Sequence, residues 1–410
     1  MKAHFYLLIA ALVFIGINSC ESPDNPSIIL RDATIIDIRD GQLTTTSLLI
    51  EDSLIKEIGN FSLLAKGNPA QVIDCKGKYM IPGLIDVHTH ISEHKNPIPK
   101  LDRFLLNGIT GIRDMGGVVD TVTYAKDLIV NGNIKGPNIY YAGVTLDGPQ
   151  SNDPFHIKIH DTTDLKELAL GLKNKGIHFF KVHNYFPKDR LLELKELSNE
   201  FGLKIAGHIP VTIGPMELEF YGIDCVEHMN SLISGLVLKE SNGIEDITTA
   251  LTTLDSTYVS KLSRYYVENN IAITPTLYTL EDMYSHLENE ASRATGMRMM
   301  AHFYEITRWM NQNDVVLLSG SDMGPINDTT LDGLHKELEM MVKSGLSPLD
   351  ALKTATINPS QYLNIDNEYG SIEANKKADL VILNSNPLEN ISNTRDIHIV
   401  IKDGELFRES

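Results

Sequence analysis

Apolar positions in this chain fall into short runs of strand length, separated by stretches with helical spacing. From residue 79 onward the runs cover 79–90, 109–115, 138–144, 179–185, 204–209, 224–229, 272–277 and 315–322. Most intervals between them place apolar residues at i, i+3 and i+4, clearest over 190–201 and 331–344, which predicts helices. Strands alternating with helices predict a parallel sheet covered by helices. Eight such units in roughly 250 residues fit a closed (β/α)8 TIM barrel better than an open sheet.

The two ends of the chain read differently. Residues 28–38, 47–51 and 54–58 are short β-like runs, punctuated by Asp40-Gly41 and Glu51-Asp52. Residues 378–383 and 398–401 repeat that pattern near the C-terminus, and Lys402-Asp403-Gly404-Glu405 turns into Leu406-Phe407. The ends are expected to pair into one small β-sandwich, into which the barrel is inserted. The expected division assigns 28–78 and 358–410 to the sandwich and 79–357 to the barrel. No repeat of solenoid period and no low-complexity tract interrupts this scheme.

Residues 1–19 read as a secretory signal: Lys2, an apolar core from Phe5 to Ile17, then small residues. The core is too short for a comfortable membrane span. Ile17-Asn18-Ser19-Cys20 resembles a bacterial lipobox, although Asn18 is an unusual occupant. The resemblance implies lipid attachment at Cys20 and a cell-envelope location, periplasmic or at the outer membrane. Residues 20–27 then form a polar tether. An ordinary cleaved signal or an uncleaved anchor are the competing readings.

Composition narrows the class. A 42% hydrophobic content and mixed charge are those of a soluble globular enzyme. The formal charge of −18 argues against a nucleic-acid partner, which would favour a basic face. Three cysteines are too few for a disulfide framework, and Cys75 and Cys225 are expected to be buried thiols. A small-molecule substrate is the expected partner, with membrane contact only through the anchor. Monomer and homo-oligomer both stay open.

Candidate chemistry sits where a barrel keeps it, at the C-terminal ends of the strands. The first strand ends in His88-Thr89-His90, whose i, i+2 spacing puts two imidazoles on one face. Alone, that pair fits a metal site or two exposed histidines. The fourth strand carries Lys181, the fifth ends in His208, the sixth in Glu227-His228 and the eighth in Asp322. Five strand ends with plausible ligands make the metal reading much the stronger. His94, His156, His160 and His178 have no strand-end placement to support such a role. His183, Tyr185 and Arg113 are candidate substrate contacts, with an ion pair to a carboxylate the alternative for Arg113. The long segments 147–161 and 229–257 are candidate lids or specificity loops.

With these motifs, the chain resembles the amidohydrolase superfamily over nearly everything after the tether. The branch it looks closest to includes imidazolonepropionase-like and Xaa-Pro dipeptidase-like enzymes. The resemblance rests on Pro82 to His90, Gly207-His208-Ile209-Pro210, Cys225-Val226-Glu227-His228, Thr274-Pro275-Thr276-Leu277 and Ser319-Gly320-Ser321-Asp322-Met323-Gly324. Ala355-Thr356-Ile357-Asn358-Pro359 and Lys377-Ala378-Asp379-Leu380-Val381 extend it into the tail. It implies a centre of two divalent ions, zinc being expected. His88, His90 and Asp322 would hold one ion, and His208 and His228 the other. Lys181 would bridge them as a carbamate, because a protonated ammonium has no lone pair to offer a cation. The implied reaction is hydrolysis of amide-type C–N bonds, in dipeptides or cyclic amides, by a metal-bridging hydroxide. Asp322 would accept its proton and deliver it to the leaving nitrogen.

Three alternatives remain in view. A lactone or phosphoester hydrolase would use the same two-metal site. A mononuclear deaminase would share His88, His90, His208 and Asp322, but that branch shows His-x-x-Glu after strand five. Here Ile209-Pro210-Val211-Thr212 follows His208, with no carboxylate. A non-catalytic surface-binding lipoprotein would not need the full ligand set.

Overall fold

The computed structural model describes residues 27–67, 71–93, 98, 101–240, 247–323 and 332–407. The expected signal 1–19, Cys20, most of the tether, His94 and Gly324 lie outside the described residues. No helix among the described residues is long and apolar enough to cross a membrane.

The terminal segments do come together. Strands β1 (Ile28–Ile36), β2 (Leu43–Glu51), β3 (Leu54–Gly59), β4 (Gln71–Asp74) and β5 (Tyr79–Pro82) come from the N-terminal side. They share one sheet with three late strands, Leu380–Leu383, Ile397–Lys402 and Glu405–Phe407. The seam is the antiparallel pairing of Met80 with Ile382 and Ile81 with Val381. Pairing is continuous through all eight strands, with β4 branching off β1. Its own core includes Leu30, Leu48, Ile55, Met80, Leu380 and Ile401. Residues 79–82, assigned from sequence to the first barrel strand, belong to this sheet.

The barrel strands follow at β6 (Leu84–Thr89), β7 (Ile109–Asp114), β8 (Asn138–Tyr141) and β9 (Thr145–Asp147). After a short return strand, β10 (His156–Lys158), come β11 (Phe179–Val182), β12 (Lys204–Gly207), β13 (Cys225–Glu227) and β14 (Ala272–Thr274). The late strands of the terminal sheet are β15 to β17 in chain order. β6-β7-β8 and β10-β9-β11-β12-β13-β14 form two parallel sheets. β8 runs on into β9, so strand three belongs to both. The eighth segment closes the circuit through parallel bridges of Leu317 to Ile273 and Met323 to Thr89, without a continuous ladder. All residues of β6 and β11 are buried, as expected for parallel strands covered on both faces. Val87, Met115, Phe179, Ala206, Ala272 and Leu318 meet in the barrel interior. The expected helices form at Lys188–Phe201 and Gly333–Lys343. Cys75 and Cys225 are buried free thiols, as expected.

Two glycines let the strand ends approach closely. A Cβ on Gly320 would lie 2.4 Å from the His88 Cβ. Gly207 has φ +153°, and a Cβ there would lie 2.0 Å from the Val182 carbonyl oxygen. Gly207→Ala is therefore expected to force the fourth and fifth strands apart, at a cost of about 3 kcal/mol. Denaturant unfolding of the variant against the parent chain measures that loss.

Candidate metal centre

Strand register delivers four of the expected residues to one point. The His88 and His90 Nε2 atoms each lie 3.3 Å from Asp322 Oδ1, and His228 Nδ1 lies 3.7 Å from Asp322 Oδ2. His90 reaches this point from just beyond the end of β6. The eighth segment is laced to the first strand from below. Asp86 Oδ1 accepts the Ser321 N–H at 2.9 Å, and Asp86 Oδ2 accepts the Ser321 hydroxyl at 2.6 Å. The Asp322 N–H then donates to the His88 carbonyl at 2.8 Å. His228 and Asp322 both take left-handed backbone, φ 67° and 52°, a conformation non-glycine residues rarely adopt without a functional constraint.

Two more expected residues join them. The His208 ring lies 4.6 Å from the His228 ring, centroid to centroid. Lys181 is buried on β11, and its charge acts on His88, His208 and His228. These are the donor types that hold divalent transition metals, and they fit one. The His88 Nε2 atom is buried and has no hydrogen-bond partner. Among the described residues, His88, His228 and Asp322 can bring three ligand atoms within 4.8 Å of one another.

Electrostatics keeps His88, His208, His228 and Asp322 in ligating form, while His90 is held as the imidazolium in the metal-free site. Burial pulls His88 down to about 4 and holds His208 and His228 well below 6.5, leaving neutral imidazoles with lone pairs. Burial also pulls Lys181 down to about 8, toward the free amine. Burial opposes charge on His90 too, but Asp322 and Glu93 outweigh it and raise that imidazole to about 10. For Asp322, burial works against ionisation, yet His228, His88 and His90 hold the carboxyl well below its usual range.

Beneath the ligands lies a group that sequence reading had not assigned a supporting role. Glu227 Oε2 lies 2.7 Å from His88 Nδ1, while Glu227 Oε1 accepts from Arg113 Nη2 at 2.5 Å. Arg113 also donates from Nε to the Val87 carbonyl at 2.6 Å, and its guanidinium lies over the Phe179 and Tyr362 rings. Arg113 is thus a buried counter-ion rather than the expected substrate contact; its side chain is 0% exposed. The carboxylate alternative was the right one.

The other two expected contacts lie at the mouth. The Tyr185 side chain is exposed, and its backbone N–H donates to Asp147 Oδ1 at 2.7 Å. His183 turns Nδ1 to Asp147 Oδ2 at 3.1 Å, so only Nε2 is left for a substrate. Asp147 and His156 were missed as partners. The third strand runs on through Asp147, three residues past its expected end at Val144. The segment after it folds back as β10, which pairs with β9 and brings His156 to Asp147.

A cluster of imidazoles, a carboxylate and a lysine at the C-terminal mouth of an α/β barrel defines a metal-dependent hydrolase class of site. Residues 79–407 match the model of the amidohydrolase family, and the chain belongs to that family. It is 24% identical to a 5'-deoxyadenosine deaminase of Methanobrevibacter smithii, over 88% of this chain and 84% of that protein. It is 22% identical to an adenine deaminase of Ligilactobacillus salivarius, over 87% of this chain but only 54% of that longer protein. In fold it is similar to a Xaa-Pro dipeptidase solved with methionine in its active site, at a TM-score of 0.73 and 18% identity, covering 93% of this chain and all of that one.

Glu227→Gln keeps the shape of the group under His88 but removes its charge. Metal affinity is expected to fall about 10–100-fold, the usual effect of losing a carboxylate behind a ligating histidine. Competition against a chromogenic chelator reads that change directly.

Proposed function

We propose that this protein hydrolyses amide-type C–N bonds, in dipeptides or cyclic amides, at a centre of two divalent ions. The observation that carries the reading is Lys181, buried on the fourth strand, where its charge reaches the imidazoles of His88, His208 and His228. Hydrolysis of C–N bonds is the coarser and firmer part, since the family and its relatives share it.

His88, His90 and Asp322 would hold one ion and His208 and His228 the other, with Lys181 shared between them as a carbamate. Bound there, two divalent ions, zinc by the nature of the ligands, would supply an acidic water and an electrophile for the scissile carbonyl. The chain's own residues do the rest. Burial leaves Lys181 partly as the neutral amine, the form that reacts with carbon dioxide. Arg113 and Glu227 fix the His88 ring so that Nε2 faces the site. Asp322 is ionised and solvent-reachable, and Oδ2 can take a proton from water and return it to the leaving nitrogen.

The names of the deaminase relatives favour a second reading, loss of an exocyclic amine. The residues after His208 speak against it, because Ile209 to Thr212 supply no carboxylate for such an attack. Lactone and phosphoester hydrolysis would draw on the same residues. On sequence alone, Cys20 would tether this hydrolase by lipid to the cell envelope.

Lys181→Ala is expected to lose most bound metal and nearly all turnover. Two ions per chain and full turnover in that variant would remove the bridging role. Asp322→Asn is expected to keep considerable metal while kcat drops about 10²- to 10⁴-fold, the range for a lost acid–base group. An unchanged kcat would exclude Asp322 as the proton carrier. Metal counting alongside a panel of dipeptides, lactams, lactones and nucleobase amines decides the substrate class. Release of ammonia from a nucleobase amine by the one-metal form would overturn the amide reading.

A further inference from the structure

Asp147, His156 and His183 form a second cluster beside the proposed centre, and no role in the hydrolysis above uses it. Their ligand atoms lie within 4.8 Å of one another. Asp147 Oδ1 is fully engaged, accepting the N–H groups of Gly148 at 2.9 Å and Tyr185 at 2.7 Å. Its other oxygen faces two imidazole nitrogens, His156 Nδ1 and His183 Nδ1, each at 3.1 Å. The Ser151 hydroxyl lies 2.9 Å from that same His156 nitrogen.

Without a metal, both Nδ1–H groups can donate to Asp147 Oδ2. Burial opposes ionisation there, but these bonds lower the carboxyl's pKa, and only the Ser151 contact is left contested. An imidazole nitrogen carries either one hydrogen or one lone pair. If His156 Nδ1 carries hydrogen, Asp147 and Ser151 compete for it. If it carries a lone pair toward Ser151, that lone pair opposes the Asp147 carboxylate at 3.1 Å. A cation at the focus of the three atoms satisfies all of them. Ligands about 2.0–2.1 Å from a tetrahedral zinc-type ion stand roughly 3.3 Å apart, close to the 3.1 Å from Asp147 Oδ2 to each imidazole nitrogen. The contrast with the neighbouring rings is informative. His88, His208 and His228 each turn Nδ1 to a partner of their own, Glu227, Asn184 and Thr276. His156 and His183 instead aim both Nδ1 atoms at one oxygen.

We propose that Asp147, His156 and His183 bind a further divalent transition-metal ion, with Ser151 or water completing its coordination, and that this ion pins the segment after strand three to the barrel mouth. The chain builds the site by folding back after Asp147, so that β10 runs parallel to β9 with Lys158 opposite Asp147. The closing ligand, His156, is the first residue of that return strand.

The test uses the full chain, stripped with chelator, reloaded with Zn²⁺ alone, desalted and counted by inductively coupled plasma mass spectrometry. The parent chain is expected to hold one equivalent more than His156→Gln and one more than Asp147→Asn. A His88→Ala, Lys181→Ala double variant, which damages only the proposed two-metal centre, is expected to keep one equivalent. Reloading that double variant with Co²⁺ should give the visible bands of a low-coordinate nitrogen–oxygen site, and adding His156→Gln should abolish them. Equal metal content in the parent and both single variants would overturn the proposal, as would a folded double variant holding no metal. A double variant that keeps every ion of the parent would instead fault the two-metal reading. The His156→Gln comparison would still decide this site.

Discussion

The chemistry of this protein depends on a buried ion pair that never meets solvent. Arg113 and Glu227 cross the barrel interior from the second strand to the sixth, and Glu227 ends on His88. Burial alone would push the Glu227 carboxyl up; Arg113 and His88 reverse that and hold it well below its usual range. Breaking such a pair by removing one partner leaves an uncompensated buried charge, at a typical cost of about 3–5 kcal/mol. Arg113 is held on several sides, by Glu227, the Val87 carbonyl and two aromatic faces, while its Nη1 is buried without a hydrogen-bond partner. A fixed negative charge behind His88 then orients that imidazole and raises its basicity as a ligand.

The mouth of the barrel repeats this logic with weaker partners. Asn184 orients His208, Thr276 orients His228, and Glu93 with the Gly116 carbonyl orients His90. Nδ1 is occupied in each ring, which leaves Nε2 for the site in His88, His90 and His208, whereas His228 Nδ1 faces both Thr276 and Asp322. The rings follow one another round the mouth, His90 to His88 to His228 to His208, at centroid spacings of 5.3, 4.5 and 4.6 Å. They come from three strand ends, His88 and His90 from the first, His208 from the fifth and His228 from the sixth, so their convergence requires the barrel to close. That closure is local: the eighth segment has only two strand bridges, and Asp86 ties it to the first strand through Ser321.

Much of this was legible from residue order because a parallel barrel converts it into geometry. Buried parallel strands are runs of apolar residues, and their last residues face one mouth, so His88, Lys181, His208, His228 and Asp322 could be gathered without coordinates. What sequence could not supply was direction at the strand edges. Arg113 sits one residue before the end of β7, as a substrate contact would, and only packing shows that it turns inward. His156 looked like a loop histidine because its partner, Asp147, lay beyond the expected end of strand three. The terminal sheet was legible as paired ends, but the border at Pro82 was not. Residues 79–82 and 84–89 form one apolar run in sequence yet serve two different sheets.

The imidazole row does not stop at His208. The His183 ring lies 3.9 Å from it, and His156 lies 4.5 Å beyond. Across that contact the partner logic inverts, from one partner per ring to two rings on one carboxylate oxygen. His183 therefore belongs to both neighbourhoods, stacked on a proposed ligand of the centre and held through Nδ1 to the strand-three segment. Asp147 also holds the Tyr185 backbone, and the Tyr185 side chain is exposed at the same rim. One carboxylate thus fixes two groups at the entrance, the His183 ring and the Tyr185 backbone, and so ties the segment after strand three to the rim beside His208.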